Sequence, residues 1–69
     1  RAKREEALRR LANRMANRAI KTGRKVVMEP MNPYERRILH SALQQNDAVN
    51  PHSEGEEPNR HVVITLKNQ

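Results

Sequence analysis

The chain has 69 residues, a formal net charge of +6, no cysteine and a single aromatic residue, Tyr34. This length predicts one small domain with an aliphatic core, near the lower size limit for a core without staples. Disulfides and thiolate metal sites are excluded, and no apolar run is long enough to span a bilayer. We expect a cytoplasmic domain without a signal peptide. Because the chain begins at Arg1 rather than Met, we also expect it to belong to a longer protein.

The charge is distributed unevenly along the chain. Residues 1–25 carry ten Lys or Arg and two Glu, a net charge of +8, whereas residues 26–69 have a net charge of −2. A polyanion would therefore meet a strongly basic amino-terminal end. A solvated helix face explains the same charges without any ligand, so composition alone leaves both interpretations open.

Residues 2–22 are predicted to form a long helix, because apolar residues recur there at spacings of three and four. The predicted buried stripe consists of Leu8, Leu11, Ala12, Met15, Ala16, Ala19 and Ile20. A basic stripe is expected to face water on the opposite side of the helix, and it consists of Lys3, Arg10, Arg14, Arg18 and Lys21. Gly23 is the predicted C-cap.

A strand and a second helix are predicted next. Residues 24–29 are short, rich in valine and closed by Pro30, which is typical of a strand. The helix is predicted from Pro33 to about Gln45, because Asn32 is a favoured N-cap and Glu35 completes a capping box. Its predicted inner face consists of Ile38, Leu39, Ala42 and Leu43.

The remaining residues predict two extended segments. Pro51 limits residues 48–54 to an edge strand or an irregular extended piece. A polar turn at 55–58 precedes a strand over 60–66, in which Val62, Ile64 and Leu66 face one way and His61, Val63 and Thr65 face the other. The predicted class is α+β, in the order α-β-α-β-β. We expect a three-stranded sheet with both helices on one face.

The most specific local feature is the pair Arg36 and His40, one helical turn apart. Together with Gln44 they lie at the predicted border between core and solvent, while Arg37 lies further toward water. A guanidinium and an imidazole side by side can hold a phosphate. The alternative is a structural pair, in which His40 bonds a backbone carbonyl and Arg36 bonds an acid such as Glu54.

Three segments resemble a known family. They are the run Glu-Pro-Met-Asn-Pro-Tyr-Glu-Arg-Arg-Ile-Leu-His at 29–40, the run His-Ser-Glu-Gly-Glu at 52–56 and the basic start of the last strand at 60–63. They are similar to the R-3-H domain, named for its Arg-x-x-x-His motif, and look like the C-terminal domain of the bacterial Jag (SpoIIIJ-associated) proteins. The resemblance covers about residues 11–66.

The resemblance implies a small α+β domain that binds single-stranded RNA or DNA, chiefly RNA. It further implies a KH domain upstream and a partner protein reached through that domain. It also implies a role in bacterial cell elongation or envelope regulation through RNA, and so in cell shape. On this basis Arg36 contacts a phosphate, and His40 contacts a second oxygen or a sugar. The candidate contacts that extend this surface are Arg37, Gln44, Lys25, Ser53 and Arg60.

Catalysis and metal binding are disfavoured. There is no thiol and no glycine-rich phosphate loop, and His52 and Ser53 should point to opposite faces of a strand. No spacing of His40, His52 and His61 resembles a metal site, so we expect neither a metal nor a cofactor. With one aromatic residue the chain cannot build a stacking platform, which predicts phosphate-led, weakly sequence-specific binding.

A second hypothesis uses the basic stripe of the first helix instead. In that case the domain is an interaction module that docks on an acidic protein or an anionic surface. Charge reversal on the helix would then abolish binding, whereas Arg36→Ala would have little effect.

Overall fold

The computed structural model describes residues 2–67. The elements are α1 (Ala2–Thr22), β1 (Val26–Val27), α2 (Pro33–Gln44), β2 (Val49–Glu54) and β3 (His61–Leu66). The predicted α+β class and the order α-β-α-β-β are confirmed.

The three strands form one antiparallel sheet in the order β1-β3-β2. β3 is therefore the central strand, and its partners run from Val49 opposite Leu66 to Glu54 opposite His61 on β2. Among residues 2–67, β2 pairs with β3 only and is therefore an edge strand. This position suits Pro51, which has no N–H to donate to a second neighbouring strand.

Both helices pack on one face of the sheet, as predicted. The buried cluster combines Leu8, Ala12, Ala16 and Ala19 of α1, Leu39 and Leu43 of α2, and Met28, Val49, Val62 and Ile64 of the sheet layer. Val63 lies outside this cluster, on the opposite face of the sheet. It is nevertheless buried, between its cross-strand neighbours Val27 and His52.

Two predictions about apolar segments were wrong in part. β1 covers only Val26 and Val27 rather than 24–29, although Met28 N still donates to Val62 O at 2.9 Å. Pro30, which has no N–H, cannot continue the ladder. Ile20 was predicted to be buried but is 43% exposed. The buried positions of α1 end at Ala19, and the next residue lies about 100° further round the helix.

Two element boundaries shift by one residue. α2 ends at Gln44, with Gln45 as the C-cap rather than the last helical residue. β3 begins at His61 rather than at Arg60, whose carbonyl instead accepts a bond from Met31 N.

The start of α2 is fixed by the predicted capping box. Asn32 Oδ1 accepts a bond from Glu35 N at 2.8 Å, and Asn32 N donates to Glu35 Oε1 at 3.3 Å. The other oxygen of Glu35 accepts two bonds from the Arg4 guanidinium, at 2.7 and 3.1 Å, and Tyr34 Oη donates to Glu5 Oε1 at 2.6 Å. These contacts tie the first turns of α1 and α2 together and set the direction in which the next turn of α2 points.

Candidate nucleic-acid interface

An open cleft lies along the outer flank of α2, beside the end of β2. We call it the α2 cleft, and its lining residues are Pro33, Arg36, Arg37, His40, Ser41, Gln44, Ser53 and Arg60. The structure therefore brings together six of the seven predicted contact residues. They come from α2, from β2 and from the residue before β3, so the sheet supplies one wall and the helix supplies the other.

Arg36 is the most firmly held of these side chains. Its Nη1 donates to Met31 O at 2.6 Å and to Glu57 Oε1 at 3.2 Å, and its Nη2 donates to Glu57 Oε2 at 2.5 Å. The Arg36 side chain is 11% exposed, whereas that of Glu57 is 53% exposed. The structural alternative for Arg36 is thus partly correct, but its acidic partner is Glu57 and not Glu54.

His40 differs from Arg36 in having no such partner. It is half-buried, and within residues 2–67 its ring takes part in no hydrogen bond. The predicted structural alternative, a bond from the ring to a backbone carbonyl, is not formed there. Every buried side-chain nitrogen or oxygen of the described residues has a hydrogen-bond partner. The His40 ring nitrogens have none, so they are accessible to solvent. The ring can therefore exchange a hydrogen bond with a ligand in the cleft.

The other predicted contacts divide into open and anchored side chains. Arg37 and Gln44 are exposed, and their side chains have no hydrogen-bond partner in the described part of the chain. Arg60 is anchored, since its Nη1 donates to Gly55 O at 2.8 Å. Ser53 lies opposite Val62 on the helix-facing side of β2, and His52 lies on the other side, as predicted.

Lys25 is the predicted contact that the cleft does not include. It precedes β1, which lies at the opposite edge of the sheet from β2. Its charge acts instead on Glu54. The pKa of that carboxyl is lowered chiefly by a 2.7 Å hydrogen bond from His52 Nε2, with smaller contributions from the charges of His52, Lys25 and His61.

Three residues of the site were missed by the sequence predictions. Pro33 and Ser41 line the cleft, and their spacing of four residues from Arg37 on either side could have identified them, since such residues share one helix face. Glu57 had no comparable signal, because it lies 21 residues from Arg36 in a polar turn.

Two further properties concern the whole described region. Within residues 2–67, no three His, Asp or Glu side chains lie close enough together to hold a metal ion. None of the helices found there has both the length and the apolar character needed to cross a membrane.

Comparison with known families identifies the domain type. The chain matches the model of the R-3-H domain over residues 6–66, which is most of its length. It belongs to the R-3-H domain family. The family predicted from the motif is therefore confirmed, and the Arg-x-x-x-His pair of this R-3-H domain is the pair that lines the α2 cleft.

Several bacterial proteins are similar to this R-3-H domain over nearly all of its residues. The RNA-binding protein KhpB of Clostridium symbiosum is 52% identical over 69 residues, covering 100% of this chain and 31% of the relative. The proteins of the same name from Bacillus subtilis and Lactiplantibacillus plantarum are 41% and 39% identical, covering 97% of this chain and 33% and 21% of the relatives. The chain thus spans a third or less of the length of these relatives.

Proposed function

We propose that this R-3-H domain is a non-catalytic module that binds single-stranded RNA through the α2 cleft. The observation that carries the proposal is the convergence of hydrogen-bond donors from α2, β2 and the residue before β3 on one open cleft. Membership of the R-3-H family and the RNA-binding names of the similar bacterial proteins support the same function.

Arg37 and His40 are suited to the first contact with the RNA backbone. Arg37 is exposed and offers a planar fork of donors, a geometry that matches a phosphate. His40 can bond a second phosphate oxygen or a ribose hydroxyl. Arg36 adds the N–H donors that are not used by Met31 and Glu57. Arg60 and Ser53 contact the RNA from the sheet side of the cleft.

Binding of this kind depends mainly on phosphate contacts. The only aromatic side chain, Tyr34, lies outside the α2 cleft, and its hydroxyl is bonded to Glu5. Bases therefore cannot stack on an aromatic platform in the cleft, as they do in other single-strand binding modules. We expect modest affinity, strong salt dependence and weak sequence preference.

We further infer that the domain works as one part of a longer cytoplasmic RNA-binding protein, with a KH domain before it. The resemblance noted in the sequence supports this arrangement, as does the greater length of the relatives. A second RNA-binding module on the same strand would raise the affinity by increasing the effective concentration of the first.

The test compares two double variants of the 69-residue chain. Arg37→Ala with His40→Ala removes two side chains that make no hydrogen bond within residues 2–67, so the change should spare the fold. We expect roughly tenfold weaker binding to an unstructured oligonucleotide. We also expect a shallower dependence of affinity on salt, by about 0.7 in the logarithmic slope for each phosphate that the variant no longer binds. Fluorescence anisotropy over a salt series measures both quantities.

The matched control is Arg14→Ala with Arg18→Ala, which removes two exposed charges from the basic stripe of α1. We expect it to weaken binding much less, because these residues do not line the α2 cleft. A larger loss in the control than in the cleft variant would contradict the proposed site. It would favour the second hypothesis, in which α1 docks on an acidic protein or an anionic surface.

A further inference from the structure

The α2 cleft continues across α2 into a second groove. Ser41 lines the α2 cleft and also a groove between α1 and α2, where the other lining residues are Arg9, Asn13, Ala42 and Gln45. We call this the amide groove. Asn13, Ala42 and Gln45 also border a depression that extends to Asn46 and Asp47. Ser41 thus joins the α2 cleft to the amide groove, and Asn13, Ala42 and Gln45 join the amide groove to the depression. The three sites therefore adjoin along one surface path from the α2 cleft to α1.

The amide groove is named for two side-chain amides, one from α1 and one from the end of α2. Asn13 of α1 and Gln45 at the end of α2 are exposed, and neither side-chain amide has a hydrogen-bond partner in the described part of the chain. Each amide offers two N–H donors and one carbonyl acceptor. That combination complements the edge of an unpaired base, which also presents donors and acceptors side by side.

The charges along the path limit where an RNA backbone can run. Arg9 stands at the α1 side of the groove, and its contact with Glu5 is an exposed ion pair at 3.8 Å, which holds it only weakly. Asp47 borders the far end of the path and would repel a phosphate. The backbone is therefore favoured between the α2 cleft and Arg9, with the two amides beside it.

We propose that the amide groove is a second RNA subsite, in which Asn13 and Gln45 hydrogen-bond the edge of a base. That base belongs to a nucleotide adjoining those whose phosphates occupy the α2 cleft. The subsite rests on the proposed function and deepens it. It gives a protein without an aromatic platform a way to contact bases, and adenine, whose edge pairs with an amide in bidentate fashion, is the favoured occupant.

Oligoadenylates from dinucleotides to octanucleotides test the subsite on the 69-residue chain by fluorescence anisotropy. For Asn13→Ala with Gln45→Ala, we expect unchanged affinity for a dinucleotide, which the α2 cleft accommodates alone. Binding of the octanucleotide should weaken about tenfold, because two hydrogen bonds are removed. An octanucleotide with abasic positions outside the cleft should bind the parent chain and the variant equally.

Asn17→Ala is the matched control, since Asn17 is an exposed asparagine one turn further along α1 and outside the amide groove. It should leave every affinity unchanged. The subsite is overturned if the double variant binds the octanucleotide normally, if it loses affinity equally at both lengths, or if Asn17→Ala weakens octanucleotide binding as much as the double variant does. If the parent chain binds no oligonucleotide, the proposed function fails as well. If the parent binds and responds only to Arg37→Ala with His40→Ala, the subsite alone fails.

Discussion

Arg36 serves both the fold and the α2 cleft. A guanidinium has five N–H donors, and the contacts with Met31 and Glu57 use both donors on Nη1 and one on Nη2. The Nε donor and the second Nη2 donor remain, and they lie along one edge of the group. A phosphate arriving at that edge would meet a guanidinium that is already oriented but partly neutralised by Glu57.

The stability of this arrangement can be tested at Glu57. The Arg36 side chain is 11% exposed, and Glu57→Ala leaves its guanidinium without the carboxylate partner. We expect the free energy of unfolding to fall by about 1 kcal/mol, less than for a fully buried charged bond because the acid itself is half exposed. Urea denaturation measures the change.

Glu56→Ala provides the control for that measurement. It removes the same charge from the neighbouring residue, and the Glu56 side chain has no hydrogen-bond or ion-pair partner within residues 2–67. We expect a change near zero. Equal effects of the two variants would mean that net charge, and not the bond to Arg36, accounts for the loss.

At the scale of the elements, two contacts join the first turns of α1 and α2. Arg4 forms an ion pair with Glu35, and Tyr34 donates a hydrogen bond to Glu5. Hydrogen bonding to Arg4 is the main reason that the pKa of Glu35 is lowered. A carboxyl with a lowered pKa in the folded state stabilises the fold fully above its unfolded pKa. That contribution is lost as the pH falls through the folded value.

Glu35→Gln isolates this contribution, because an amide can keep the capping role but not the charge. We expect the parent chain to be more stable than the variant above about pH 5. The difference should shrink as the pH falls below roughly 4.3. Thermal unfolding followed by circular dichroism across this range measures it. Glu54 is present in both proteins, so the stability lost when it is protonated cancels in the comparison. A difference in stability between parent and variant that stays constant with pH would contradict the role assigned to Glu35.

The elements that the sequence predicted well are those specified by neighbouring residues. Asn32, Pro33 and Glu35 are all within four positions, so the start of α2 and the direction of Arg36 and His40 could be predicted. The length of β1 and the position of Lys25 depend on the strand order β1-β3-β2, which no local pattern contains. The partner of Arg36 was missed for the same reason, since only the folded chain brings Glu57 beside it.

At the scale of the whole molecule, stability depends on a small aliphatic core between the helices and the sheet. Leu39 of α2 is 0% exposed within it. We expect Leu39→Ala to cost about 2 to 5 kcal/mol, which is a large share of the roughly 5 to 10 kcal/mol typical of a small domain. Urea denaturation should show a strongly lowered midpoint.

Ile20→Ala is the comparison for Leu39→Ala, because Ile20 lies outside the core in spite of its place in the apolar pattern of α1. We expect it to cost less than about 1 kcal/mol, in keeping with the small apolar area that Ile20 buries. Comparable losses at the two positions would contradict the packing described for α1.

The central position of β3 has a consequence for how the protein is made. β3 is the last element of residues 2–67, yet both other strands hydrogen-bond to it, and Val62, Val63 and Ile64 are all buried. A chain emerging from the ribosome therefore has no sheet until residues 61–66 have been synthesised. Until then α1 and α2 have only each other to cover their apolar faces. The sheet should therefore form in one step once residues 61–66 have emerged, and not strand by strand as the chain is made.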